Sequence, residues 1–250
     1  AAFTVVILGT GALVRWLINL TKDLSGIASL VLIALIGVLG MAVAVAVGVW
    51  ISLNIGLGKD VKKSPSFVWW VINRLAFLVG ATNIAGFTLY FIQERFPEMQ
   101  GTAAAGPSAM LTMFVGVAIL ISSLPAGWLT DKFGKKPMIA FSGILATIGT
   151  IIITTIPGMT MLFVGGLLIG LAMGVFYSAN WALGTQIVPQ EQAGRYLGLS
   201  NLAGAGAGAI GAYIGGPIGD GKGYILLMSI YGFLFLLSIF ALYGIKEQTK

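Results

Sequence analysis

An all-α, multi-pass membrane protein of about eight transmembrane helices is the fold class this sequence predicts, on three observations. The chain has 250 residues, of which 58% are apolar. Only 9% are charged, against roughly 25% in a soluble domain, too few to clothe a soluble surface at this size. The charges also gather between apolar stretches of the ~20 residues that cross a bilayer. Strand alternation is absent, and in hydrocarbon a helix satisfies its own backbone hydrogen bonds.

The spans follow in order. Residues 3–20 form a short one, interrupted by Arg15. Residues 27–57 carry no charge. The third runs 75–91, extending back to 67 if Arg74 is tolerated in the membrane. Then come 107–129, 138–156, 159–185, 197–218 and 224–245. Pro157-Gly158 divides the uncharged run 137–190, and a Pro-Gly pair is a strong turn signal, so a helical hairpin with a very short loop is expected there.

Eight spans place alternate connections on opposite sides. One set, 58–66, 130–136, 186–196 and the C-terminal tail, holds nine basic residues: Lys59, Lys62, Lys63, Lys132, Lys135, Lys136, Arg195, Lys246 and Lys250. The other, 21–26, 93–106, 157–160 and 219–223, holds three: Lys22, Arg95 and Lys222. The positive-inside rule assigns the first set, and with it the C-terminus, to the cytoplasm of a cell-membrane protein. The same placement makes the net charge of +6 a mark of orientation and not a nucleic-acid patch. The chain has neither Cys nor His, which removes disulfides, thiolate metal sites, the commonest general base and the usual haem ligand. No cofactor is expected. No G-x-x-x-x-G-K loop is present, so ATP-driven chemistry has no support. The chain opens on Ala, with no secretory signal pattern, and is expected to begin inside a longer protein.

The densest charge lies in "GWLTDKFGKKP", residues 127–137. A tight turn with lysines at lipid headgroups accounts for Gly134, Lys132, Lys135 and Lys136. It does not account for Asp131, whose carboxylate calls for a basic neighbour or a helix N-terminus. The pattern G-x-L-x-D-x-x-G-K-K resembles the signature loop of the major facilitator superfamily, which joins helices 2 and 3 and recurs between helices 8 and 9. Gly127, Leu129, Asp131, Gly134, Lys135 and Lys136 match it. The resemblance implies a conformational latch in which Asp131 engages the cytoplasmic start of helix 5, near residues 1–4, or a local Lys135 or Lys136. Counting back from the C-terminus puts the motif between helices 8 and 9. Residues 1–57 then supply helices 5 and 6 of the N-terminal half, 58–66 the cytoplasmic loop between halves, and 67–250 the six-helix C-terminal half. Helices 1 to 4 fall outside the chain. A second string, "GVFYSANWALGTQIVPQEQAGRYLGLSNLAGAGAGAIGAYIGGPIGD" at 174–220, is similar to the helix 10–11 region of the sucrose and glycoside–cation symporter branch.

Carriers of this fold bind solute near the midplane, and polar residues inside spans are costly enough to be candidates. Arg74 is the one charge in the seven clear spans, roughly 12 Å along its helix from Ser66 at 1.5 Å per residue. It either snorkels to the headgroups or faces the cavity, bonding a solute or a carboxylate of the absent helices. Asn73 beside it should point to a different face. Asn83 is a mid-span candidate, and Tyr90, seven residues on, fits the interfacial aromatic belt. Tyr177 and Trp181 share a face at i, i+4, with Asn180 beside them; aromatic faces with amides suit sugars, though plain packing would give the same pattern. Asn201 binds solute or bonds across helices. Gly204, Gly208, Gly211 and Gly215 read as close helix packing, and Glu191 with Arg195 as a local ion pair.

No span holds Asp or Glu. A coupling proton or sodium ion would therefore be held by helices 1 to 4, unless the protein is a uniporter. The leading expectation is a secondary transporter or facilitator, not an enzyme, moving a small polar organic solute such as a sugar or glycoside by alternating access. The rival is a non-transporting subunit of a larger membrane complex, or a carrier of a lipid-soluble pigment.

The charge count makes one prediction. In this Cys-free chain, Arg95→Cys should react with an impermeant thiol reagent in intact cells and Lys246→Cys should not; equal labelling would overturn the assigned orientation.

Overall fold

A computed structural model describes residues 2–21 and 24–246. Eight α-helices follow one another: α1 (Ala2–Leu20), α2 (Gly26–Leu57), α3 (Pro65–Arg95), α4 (Ala105–Phe133), α5 (Lys135–Thr155), α6 (Met159–Ile187), α7 (Ala193–Lys222) and α8 (Tyr224–Ala241). No strand occurs among the described residues, and all eight helices are long and apolar enough to cross a membrane. Each expected span falls on one helix. Most helices outrun the spans at their ends, because a charged residue stops an apolar stretch but not a helix; α3 takes in Arg74 and α4 takes in Asp131 and Lys132.

The connection expected at 130–136 shrinks accordingly to a single residue. α4 ends at Phe133, α5 starts at Lys135, and Gly134 turns the chain at φ 93°, ψ 153°, a region open to glycine and closed to most side chains. The hairpin expected at Pro157-Gly158 forms between α5 and α6. These two helices approach until a Cβ at Gly165 would lie 2.6 Å from the Gly149 carbonyl oxygen, the close backbone approach that small residues permit in membranes.

α1 and α2 pack on each other and on α7, while α3 lies against α7 and α8, and α6 against α4 and α5. α3 is the hub. Phe77 stacks on Phe176 of α6 at 3.7 Å between centroids and meets Phe235 of α8 at 4.9 Å. Asn73 donates to the Ser238 carbonyl of α8 at 2.8 Å. Many large apolar side chains face outward, among them Leu124, Ile55 and Leu120, which in a bilayer is the lipid-facing surface and not a fault of folding.

The ends are clasped by polar bonds, and these sort the connections into two sets. At one end Arg195 donates to the Gly56 carbonyl at 2.6 Å, Ser66 accepts from the Lys246 backbone at 2.9 Å, and Lys136 donates to the Ile245 carbonyl. At the other, Glu94 accepts from the Tyr224 backbone N–H and Lys222 donates to the Leu24 carbonyl at 3.2 Å. The grouping is the one the alternation of spans requires. Lys22 and Lys250, counted in the charge tally, lie outside the described residues. Arg195 corrects one expectation: it forms no ion pair with Glu191 but reaches the end of α2, whose terminal carbonyls attract a cation.

Candidate functional site

The inward faces of α3 and α6 meet at a polar cluster centred on Asn180, which has no exposed surface. Its Oδ1 accepts from Arg74 Nη1 at 3.0 Å, its Nδ2 donates to Asn73 Oδ1 at 2.9 Å, and its backbone carbonyl accepts from Trp70 Nε1 at 3.0 Å. Asn73 passes its own Nδ2 on to Ser238 of α8. One residue thus ties three side chains of α3 to α6, two through its amide and one through its backbone carbonyl, and through Asn73 to α8. The expectation that Asn73 points away from Arg74 is corrected: adjacent on α3, the two straddle the Asn180 amide and meet its opposite ends.

Arg74 does not snorkel. It is 6% exposed, nine residues into α3, or about 13 Å along the helix. Its guanidinium carbon sits 4.5 Å from the Trp181 ring centroid and 5.8 Å from that of Trp70, cation–π contacts worth about 0.5–2 kcal/mol each. They offset part of the ~2.5–3.5 kcal/mol that a central arginine costs on insertion scales. Trp70 and Trp181 themselves meet edge to face at 6.4 Å. Tyr177, one turn before Trp181 and half-buried, lies within electrostatic range of the guanidinium. The cluster therefore unites Arg74, Tyr177, Asn180 and Trp181 from the expected set and adds Trp70 and Asn73. Trp70 could have been read from its i, i+4 spacing to Arg74; Asn73 could not, because its role depends on where Asn180 falls on another helix.

Two expected residues lie elsewhere. Asn83 is 4% exposed and donates to the Val79 carbonyl of its own helix and the Ala207 carbonyl of α7. Its amide fills the place where Gly211 lacks a side chain, so it acts as helix packing. Asn201 is exposed on α7 and joins neither cluster. Tyr90 stacks on Tyr224 at 5.4 Å near the far end of the bundle.

The motif residues divide too. Lys136 donates to the Ile245 carbonyl beyond the end of α8, and Lys132 lies over Trp128 at 5.0 Å. Gly127 and Lys135 are half-buried and Gly134 makes the turn. Asp131 is exposed in the last turn of α4 and has no bonding partner among the described residues. Neither the described residues 2–4 nor Lys135 or Lys136 supply the expected partner. Ala1 lies outside the described residues, and Phe3 is drawn instead into α2 and α7, against Gly48 and Gly206. A carboxylate at a helix C-terminus opposes the macrodipole, so Asp131 is held in an unfavourable position without compensation in this arrangement.

Comparison with known proteins adds three kinds of relative. A family model described as Major Facilitator Superfamily matches residues 101–250. A multi-drug resistance efflux pump of Streptococcus pneumoniae is 31% identical over 151 residues, covering 57% of this chain and 38% of the pump. The galactose-proton symporter of Escherichia coli is 27% identical over 159 residues, 63% of this chain and 33% of the symporter. Myo-inositol transporter 2 of Schizosaccharomyces pombe is 23% identical over 145 residues, 56% of this chain and 25% of the transporter. The matches span less than two-fifths of the length of each of these relatives.

Truncating the central amide tests the cluster. Asn180→Ala leaves a guanidinium N–H and the Asn73 carbonyl unpaired in a buried site, each at about 1–3 kcal/mol. The variant should melt several degrees below the parent in lipid nanodiscs, whereas an unchanged melting temperature would mean that the cluster does not hold α3 to α6.

Proposed function

The chain belongs to the major facilitator superfamily, and we propose that it supplies most of the helices of a secondary transporter that moves a small polar organic solute by alternating access. The buried, amide-tethered guanidinium roofed by tryptophan carries this reading. A charge kept inside a span at that cost, and fixed by side chains of two helices, fits a solute site better than a structural one. Tyr177 and Trp181 supply ring faces for the apolar C–H surfaces of a solute; Arg74, held in place by Asn180, supplies the polar contacts.

A sugar-like or glycoside solute is supported by the resemblance of 174–220 to sucrose and glycoside–cation symporters and by relatives named for galactose and myo-inositol. In this reading residues 1–57 end one half of the carrier, 67–250 form the other, and the basic ends face the cytoplasm. Coupling to a proton or sodium ion would rest on groups outside the spans seen here. Asp131, unpaired in the present arrangement, is proposed to accept a helix end of the opposite half in another state of the cycle, with Gly134 and Lys135 shaping the turn and Lys136 holding the Ile245 carbonyl beyond α8. The rival reading, a pigment carrier or assembly subunit, would be favoured by a lipid- or pigment-filled groove. The apolar cavity lined by α3, α4, α5, α6 and α8 measures about 50 Å³, far below the ~300–1,000 Å³ of an ordinary ligand site, while open, mainly apolar grooves between α1 and α7 and between α2 and α8 measure about 610 and 290 Å³.

Proteoliposome counterflow is the test. Labelled galactose or myo-inositol should exchange across the bilayer, and Trp181→Ala should weaken the apparent affinity about tenfold while the protein still inserts and elutes as a single species. Counterflow unaffected by Trp181→Ala would take helix α6 out of the site, and an absence of exchange for both solutes would remove the sugar-like class.

A further inference from the structure

The Arg74 guanidinium is held from one side only. Of its five N–H donors, one from Nη1 is taken by Asn180. Nε is fully buried and has no hydrogen-bond partner, and Nη2 bonds to no described residue. No ion pair reaches it; the salt bridge among the described residues joins Lys63 to Asp60. The sequence offers no counter-charge at this depth, since all eight acidic residues lie outside the apolar spans. A guanidinium is planar and always charged, and its five donors form a rigid fork. With Nη1 occupied and the faces covered by Trp181 and Trp70, what remains is the Nε–Nη2 edge. That edge presents two parallel N–H groups, the geometry that receives a carboxylate bidentately.

No side chain of α7 covers this edge at Gly204. Nε looks toward α7 at Gly204, where an added Cβ would lie 3.9 Å from Nε and 3.5 Å from Leu78 Cδ1. These are ordinary contact distances, so an alanine would fit without strain and would half-cover the edge. Tyr177 lies one turn before Trp181 on the same face of α6.

We propose that Arg74 is an anion-binding residue whose Nε–Nη2 edge takes the carboxylate of an acidic solute, so that the preferred solute is a polar organic acid, such as a sugar acid, with neutral sugars bound more weakly at the same site. This rests on the transport reading and narrows its solute class. Asn180 and Asn73 are positioning residues, fixing the guanidinium so that little ordering is left to the moment of binding. The Trp181 and Tyr177 rings then lie against the solute's carbon skeleton, and the missing counter-charge arrives with the cargo.

The test pairs a ligand-free measurement with a ligand panel, on the intact protein in lipid nanodiscs. Without ligand, Arg74→Gln should melt at or above the parent, because it removes a buried charge that has no acidic partner among the described residues while its amide can still donate to Asn180. A marked fall would mean that a carboxylate of the protein pairs with Arg74, since breaking a buried pair is strongly destabilising, and would overturn the proposal. With ligand, D-glucuronate, D-gluconate and L-lactate are compared with D-glucose, which is glucuronate without its carboxylate. At least one acid should protect the parent against thermal unfolding and change its tryptophan fluorescence, with an affinity at least tenfold above that for glucose. Arg74→Gln should abolish that preference, Arg74→Lys should restore only part of it, and Gly204→Ala should weaken it several-fold with an unchanged melting temperature. If none of the acids binds, or if glucose binds as tightly as glucuronate in both parent and Arg74→Gln, the anionic class is wrong. Glucose binding in that last case would still leave the transport reading standing.

Discussion

The Asn180 side chain is the contact on which the interior of this bundle depends. An amide has one acceptor end and one donor end, and here each meets a different residue of α3: Arg74 on the oxygen, Asn73 on the nitrogen. Trp70 closes the arrangement on the backbone carbonyl of the same residue. Between apolar helices in lipid there is little hydrophobic drive for association, so packing and interhelical hydrogen bonds decide register. A residue that bonds three partners on one neighbouring helix sets both the rotation and the height of that helix.

The glycines make this possible. Trp70 lies so close to α6 that a Cβ on Gly184 would fall 2.2 Å from its ring, and the large ring can cover the guanidinium because that space is empty. On the opposite side of α3, Asn83 uses the space over Gly211, and Tyr231 of α8 lies against Gly215 while donating to the Gly211 carbonyl at 3.0 Å. Of the four α7 glycines in the 204–215 stripe, Gly211 and Gly215 therefore serve close packing. Gly208 faces open space and Gly204 looks onto the Arg74 edge. A stripe read as one packing motif has two roles, and only the neighbours of each glycine tell them apart.

The helices were legible because the bilayer imposes a length and a composition, and a chain with so few charges shows both. Family membership was legible in 127–137 for a related reason: turns and charges at membrane boundaries follow strict chemistry. The polar cluster proposed as the site was legible in part. Arg74, Asn180 and Trp181 declared themselves as polar or aromatic residues in places where such residues are costly. Asn83 and Asn201 met the same criterion without belonging to the cluster, since the sequence does not say which face of α3 or α7 looks toward α6. Asp131 was expected to find a partner at the start of α1, and Phe3 instead holds that start against α2 and α7. Long-range pairing of this kind depends on packing between helices distant in sequence, and no local pattern encodes it.

An experimental density map of the intact protein in a lipid nanodisc, sharp enough to orient side chains, tests the account most directly. It should show Arg74 Nη1 within about 3 Å of Asn180 Oδ1, the Trp181 ring over the guanidinium, and Asn73 on the other end of the same amide. An Arg74 side chain extended along α3 toward the Pro65 end, with Asn180 bonded elsewhere, would contradict it.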